Sequence, residues 1–256
     1  MKSVIVIPAR YGASRFPGKS LARIQGRPMI QWVWEAACKS RFTEQVVVAT
    51  DDERIADTAA KFGADVVMTK KSHRSGTDRI AEVANKIRAQ LYVNVQGDEP
   101  LLSPSAVDEL IRSMMESPRV PIGTLAHRIE SESEWSSPEV VKVVCNRHNE
   151  ALYFSRSPLP FQRTFDPTAK LLRHVGIYAF RARALAEFVS LKPSPLEIAE
   201  SLEQLRALEN GMTIQVIETK YRCLGVDTPA DLARIESTLR RQAKAPAKQK
   251  AKRKKK

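Results

Sequence analysis

Long apolar runs, paired cysteines and clustered aromatics are all missing from this chain of 256 residues. No apolar stretch approaches the roughly 20 residues that cross a bilayer, so no membrane-spanning helix is expected. The opening Met1–Ile7 resembles the head of a signal peptide, but Pro8 and Arg10 break it at once and no small-residue cleavage site follows. It reads as a first buried strand. The three cysteines, Cys38, Cys145 and Cys223, are odd in number and lack C-x-x-C spacing. They indicate neither a disulfide framework nor a zinc site, and as structural or bystander thiols they fit a reducing cytoplasm. Aromatic residues make up 6% of the chain and form no stacking motif, which argues against RNA recognition.

Acidic residues are missing from one place in particular. The net charge is +13, yet ten of the 42 basic residues lie from Arg240 onward with no acid among them. The remainder carries 32 basic against 29 acidic residues, close to balance. The excess is therefore a tail, residues 240–256, expected to be disordered because it has nothing to bury. Docking on anionic lipid or RNA is open to it; plain solvation of the chain end is the favoured reading. Residues 1–239 form one domain.

What the chain does have is alternation. Val4–Pro8, Val46–Thr50, Asp65–Thr69 and Leu91–Gln96 are short, nearly continuous apolar runs, as in strands buried on both faces of a parallel sheet. Between them, apolar residues recur at helical spacing, as in Met29, Ile30, Val33 and Ala37 and in Ile80, Val83, Ala84 and Ile87. Strand–helix–strand alternation predicts a doubly wound, three-layer α/β fold. The second half is less regular. Strands are expected at Val140–Cys145, Ala151–Phe154, His174–Phe180 and Thr213–Glu218, a long loop at Arg156–Leu172, and a helix at Pro195–Leu208. A final helix opens at Asp227-Thr228-Pro229, with Thr228 as its N-cap.

In open α/β sheets ligands bind beyond the carboxyl ends of the strands. The first strand exits into Arg10-Tyr11-Gly12-Ala13-Ser14-Arg15-Phe16-Pro17-Gly18-Lys19. Glycines let backbone amides approach phosphate and the cations neutralise it, so this loop suits a triphosphate. It is not a P-loop: Gly12 and Gly18 stand one residue too far apart, and Pro17 does not suit that turn. No G-x-G-x-x-G follows any strand, which disfavours dinucleotide binding. The fourth strand exits into Gln96-Gly97-Asp98-Glu99-Pro100, an acidic pair suited to magnesium, which takes carboxylate, water and phosphate oxygens. Asp227 opens another loop-to-helix junction, where capping is the alternative role. Ser75-Gly76-Thr77-Asp78-Arg79 begins a helix whose amides either hold a base or anion or merely close a capped turn. His174, within a strand, reads first as a satisfied structural histidine.

These segments resemble the 3-deoxy-manno-octulosonate cytidylyltransferases, or CMP-KDO synthetases. The likeness lies in Ile7–Lys19, Ala49–Asp52, Ser75–Arg79, Val93–Pro100, Ala151–Arg156, Arg173–Tyr178, Leu202–Arg206 and Gly225–Pro229, in the family's order, across Val4–Leu239. The resemblance implies a Rossmann-like nucleotidyltransferase fold, three-layered with a mostly parallel sheet and an inserted β-rich dimerisation lobe at about residues 121–180. It implies a homodimer that uses CTP, magnesium and an acidic keto-sugar, with CMP-KDO and pyrophosphate as products for lipopolysaccharide synthesis. Position by position it implies Arg10, Lys19 and Asp98 as catalytic residues. Ala9, Arg10, Arg15, Lys19, Ala49, Asp51, Arg74, Ser75, Gly76 and Gln96 would surround the nucleotide. Gln96, Arg156, His174, Tyr178, Glu203 and Gln204 would line the sugar site, and Asp98 and Asp227 would bind the metal. Glu99 leans towards KDO itself, because a similar subfamily acting on the 8-amino sugar tends to carry Gln there. The alternatives are a sialic acid or 8-amino-KDO as substrate, a catalytically silent paralogue, or a basic-tailed RNA- or membrane-binding protein.

Overall fold

A computed structural model describes residues 1–12 and 16–253, and for 242–253 the backbone alone. The first apolar run is β1 (Ser3–Ala9), buried along its whole length. A 3-10 turn at Lys19–Leu21 and a small hairpin, β2 (Arg23–Ile24) and β3 (Arg27–Pro28), lead into α1 (Met29–Ala37). Then β4 (Gln45–Thr50), α2 (Glu53–Lys61), β5 (Asp65–Met68), α3 (Gly76–Lys86) and β6 (Leu91–Asn94) alternate as the pattern predicts. Next come α4 (Pro104–Glu116) and β7 (Ile122–Arg128), neither of which the sequence pattern identifies. The lobe contributes α5 (Glu132–Ser136), β8 (Lys142–Cys145), β9 (Ala151–Ser155) and β10 (Leu172–Arg181). The chain closes with α6 (Ala182–Ser190), α7 (Pro195–Glu200), α8 (Leu205–Glu209), β11 (Ile214–Glu218) and α9 (Pro229–Arg253).

The main sheet runs β11-β7-β10-β6-β1-β4-β5, with β8 attached to β10 and β9 to β8. Strands β6, β1, β4 and β5 are mutually parallel. Strand β10 is antiparallel to both β6 and β7, so the sheet is mixed, and β11 is again parallel to β7. Side chains alternate across a strand. Ile5 and Ile7 accordingly join one core with Val33, Ile55 and Leu110, while Val4 and Val6 join another with Ile80, Val83, Leu185 and Phe188. Two cores on opposite faces of one sheet make three layers. Each fully buried aliphatic side chain contributes about 1.5–3 kcal/mol of hydrophobic stabilisation.

Two expectations need correction. The helix expected at Pro195–Leu208 is two short ones, because Ser201 adopts a left-handed φ of 53° between α7 and α8. A buried Leu202 follows the break, which sets Glu203 and Gln204 in a turn. The tail expected to be disordered from residue 240 continues α9 to Arg253; alanine, lysine, glutamine and arginine are all good helix formers. Thr228 does cap that helix: its Oγ1 accepts from Asp231 N at 3.2 Å, and Asp231 Oδ2 accepts from Thr228 N at 2.9 Å.

Candidate active site

Because β1 and β6 are parallel, their carboxyl ends open on the same side, and Pro8 is where the surrounding segments close together. A Cβ on Gly97 would lie 3.1 Å from the Pro8 carbonyl oxygen, and one on Gly76 would lie 3.1 Å from Pro8 Cγ. Glycine at these two places lets the β6 exit and the start of α3 pack against the end of β1. The loop after β1 is pinned by Gly18, whose N–H donates to Tyr11 O at 2.7 Å. Gly18 has a φ of +70°, a conformation that side-chain-bearing residues avoid. The Arg54 guanidinium covers the Tyr11 ring at 3.3 Å from its centroid.

Between these segments lies a cavity of about 230 Å³, lined by Ala9, Arg10, Lys19, Arg74, Ser75, Gly76, Gln96, Asp98 and Asp227. Most of the expected nucleotide residues and both expected metal ligands are thereby gathered in one place. Lys19 stands at the centre. Its Nζ donates to Asp98 Oδ2, to Asp227 Oδ1 at 3.2 Å and to the Val226 carbonyl at 3.3 Å. Val226 N donates to Asp98 O at 2.9 Å, tying the segment before α9 to the β6 exit. Thr228 supplies the helix cap, and the Asp227 carboxylate faces Lys19.

Some expected residues stand elsewhere. Arg15 lies outside the described residues. Ala49 is fully buried in the core. Asp51 accepts from Arg79 Nη2 at 2.8 Å, and it is Arg79 that reaches the cavity wall, beside His73, Phe16 and Ser20. Arg79 and Phe16 belong to motifs legible in the sequence; His73 and Ser20 gave no signal there. Ser75 caps α3, its Oγ accepting from Asp78 N at 3.2 Å, and it also lines the cavity. The capping and binding readings of Ser75 are compatible. The pair Asp98–Glu99 is split: Asp98 faces the cavity and Glu99 is buried near Tyr221, whose hydroxyl donates to it at 3.3 Å. Burial, reinforced by the neighbouring Asp98, pushes the Glu99 pKa up to about 7.

A second, smaller cavity of about 40 Å³ lies on the other side of the α3 start, lined in part by Thr77, Tyr178, Glu203 and Gln204. It has room for one end of a sugar, not the whole. Thr77 Oγ1 donates to Glu203 Oε2 at 2.8 Å. Tyr178 Oη, Glu203 Oε1 and Gln204 Nε2 are buried with no hydrogen-bond partner among the described residues. Glu203 Oε1 has only the Arg206 guanidinium, at 3.9 Å; buried polar atoms are nearly always hydrogen-bonded, so three left without such a bond around one cavity mark a place for a polar ligand. Burial raises the Glu203 pKa. Next to this cavity, the His174 ring lies 5.3 Å from that of Tyr178, packs edge-on against Phe154 and has Nε2 3.1 Å from Thr124 Oγ1. Burial pulls its pKa down to about 3, so it works as a neutral imidazole. Arg156 lines neither cavity and is anchored in the lobe.

Among the described residues no group of three or more His, Cys, Asp or Glu is placed to hold a metal. Two carboxylates do converge on one cation, the Lys19 ammonium. That arrangement fits magnesium, which is commonly held by one or two carboxylates and completes its shell with phosphate oxygens and water.

Comparison with known proteins identifies the family and the fold. A family model described as cytidylyltransferase matches residues 4–214. A 3-deoxy-manno-octulosonate cytidylyltransferase from Geobacter metallireducens is 49% identical over 251 residues, covering 94% of this chain and 99% of that protein. The protein of the same name from Syntrophotalea carbinolica is 50% identical over 248 residues. Among solved structures, a CMP:2-keto-3-deoxy-manno-octonic acid synthetase complexed with CTP superposes with a TM-score of 0.90 at 46% identity, covering 94% of this chain and 100% of that one. The inositol-1-phosphate CTP transferase of T. maritima, at 17% identity and a TM-score of 0.65, shares the fold.

Proposed function

This chain belongs to the cytidylyltransferase family, and on that premise we infer that it transfers CMP from CTP to the anomeric hydroxyl of 3-deoxy-D-manno-octulosonate. CMP-KDO and pyrophosphate are the products, destined for lipopolysaccharide synthesis. One observation carries the chemistry: Lys19, Asp98 and Asp227, from three distant parts of the chain, converge in the cavity beyond β1 and β6.

The reaction is a displacement at phosphorus, so catalysis consists mainly of placement and charge stabilisation. Family membership implies a cation-assisted reaction, and the residues that would hold the cation are Asp98 and Asp227. A magnesium ion held there would supply positive charge near the phosphates and favour ionisation of the attacking hydroxyl. Lys19 then exchanges its carboxylate partners for phosphate oxygens and stabilises the departing pyrophosphate. Arg10 and Arg74, both exposed at the cavity rim, neutralise the triphosphate as it enters. Ser75 and Gly76 border the cytidine. The orphan atoms of Tyr178, Glu203 and Gln204 bond sugar hydroxyls, and the planar fork of Arg156 suits the sugar carboxylate. His174 holds the Tyr178 side of that wall.

The lobe supports a homodimer. Leu152, Phe161 and Ile198 are exposed there and nearby, at 60%, 82% and 68%, and a second copy would cover such side chains. No described helix is long and apolar enough to cross a membrane, and free Cys38, Cys145 and Cys223 suit a reducing cytoplasm. The decisive experiment incubates the protein with KDO, CTP and magnesium and identifies the product by mass. CMP-KDO with equimolar pyrophosphate is expected; turnover with a sialic acid but not KDO would reassign the substrate.

A further inference from the structure

Lys142 is fully buried and meets no carboxylate among the described residues. Its ammonium donates to the carbonyl oxygens of Ser137 at 2.8 Å, Val140 at 2.6 Å and Arg156. An ammonium has three hydrogens to give, and all are used. The Glu200 carboxylate acts on it only from a distance, and taking an ammonium out of water is costly even when all its hydrogens are bonded. Burial also lowers the Lys142 pKa. The cation is therefore best explained by what it holds in place.

Ser137 and Val140 bound the turn after α5, where Val140 N donates to Ser137 O at 3.2 Å. Arg156 follows β9, and its own side chain closes the circuit. Its Nη1 donates to Pro138 O, inside that turn, at 3.1 Å, and its Nε donates to Glu200 O at 3.0 Å. Glu200 ends α7 and leads into the turn that carries Glu203 and Gln204. Both oxygens of the Glu200 carboxylate are engaged, by the Ser155 hydroxyl and by Arg156 N. The guanidinium of Arg156 thus meets carbonyl dipoles and no carboxylate among the described residues. It is fixed in direction with no carboxylate bonded to it among the described residues.

We propose that Lys142 is a positioning residue for the keto-sugar's carboxylate. It locks the Ser137–Val140 turn to the Arg156 main chain, and so aims Arg156 without neutralising it. A carboxylate bonded directly to the guanidinium would also hold it, but would cancel the charge that an anionic substrate needs. The inference rests on the reading that Arg156 receives the sugar carboxylate, and the test separates the two.

Lys142→Met and Arg156→Ala are assayed side by side, with circular dichroism reporting folding. Lys142→Met should raise KM for KDO at least about tenfold while kcat and KM for CTP change less than about twofold, the pattern of lost ground-state binding. If Arg156→Ala leaves KM for KDO unchanged, the assignment of Arg156 fails and Lys142 has nothing to position. If Arg156→Ala raises KM for KDO and Lys142→Met does not, or raises KM for CTP equally, the positioning role is overturned. Should Lys142→Met not fold, the wild-type protein gives the answer by NMR of its lysine Nζ groups. The Lys142 signal, assigned through its side-chain carbons, should shift when KDO alone is added and stay put with CTP alone; a signal indifferent to KDO overturns the proposal.

Discussion

In the larger cavity, proposed for the nucleotide, Lys19 lies against Asp98 and Asp227, and Arg79 against Asp51. In the smaller cavity, proposed for the sugar, Tyr178 Oη, Glu203 Oε1 and Gln204 Nε2 are buried with no hydrogen-bond partner among the described residues. The first arrangement is self-satisfied, so a ligand there has to displace existing partners. The second leaves polar groups dry, at a cost of about 1–3 kcal/mol for each one left unsatisfied, which a ligand's hydroxyls offset. The difference teaches that one site is prepared by two opposite means, charge neutralised on one side and hydrogen bonding withheld on the other.

The hardest blow to that comparison falls on Asp98. Asp98→Asn keeps the shape and removes the charge, and should lower kcat by at least about a hundredfold, as loss of a main electrostatic stabiliser does. Near-normal turnover at saturating magnesium would remove Asp98 from the chemistry. Next in size is Glu99, a neighbour of Asp98 that forms no ion pair among the described residues. With its folded pKa raised to about 7 above the unfolded value near 4.3, the fold prefers its neutral form. Stability should therefore fall as pH rises, by on the order of 2 kcal/mol between about pH 5 and 7, with the penalty complete above the folded pKa. Thermal melting without magnesium tests this: Glu99→Gln should lack that part of the pH slope, and an unchanged slope would place the proton elsewhere. Smallest is Tyr178→Phe, which should weaken KDO binding about tenfold while slightly raising the melting temperature, since it removes a buried hydroxyl with no partner. A lower melting temperature with unchanged KM for KDO would show that the hydroxyl serves the fold and not the ligand.

Legibility in the sequence follows the same division. Strands β1, β4, β5 and β6 are short apolar runs bounded by polar exits, and their parallel order places the phosphate loop and Asp98 side by side. That much is written locally. Strand β7 is not: Ile122–Arg128 carries Gly123, Thr124 and His127, which break the apolar signal although all three are buried. Gly123 is there because a Cβ would sit 2.7 Å from Met114 Sδ of α4, a tertiary constraint with no local trace. The break at Ser201 is likewise invisible, since Pro195–Leu208 keeps helical spacing and only the buried neighbours of Glu203 and Gln204 demand a turn. Asp51 illustrates a subtler limit. A motif match brings it to the nucleotide region, and the structure shows it holding Arg79, which does the lining. Lys142 drew no attention as a sequence feature because a lone lysine in a strand reads as solvent-facing until three carbonyls are found around it.

Strand β10 has a further consequence. Leu172 and Arg173 pair with β8 in the lobe, while Tyr178–Arg181 pair with β6 at the centre of the sheet, and a register shift separates Val175 from Tyr178. One ribbon thus enters both compartments, with His174 on its outer stretch and Tyr178 just past the irregularity. The lobe cannot swing as an independent flap, because its hinge would have to cut a ladder rooted beside β1. Amide protons along both stretches should exchange with solvent as a single cooperative unit, so that access to the sugar and the integrity of the central sheet rise and fall together.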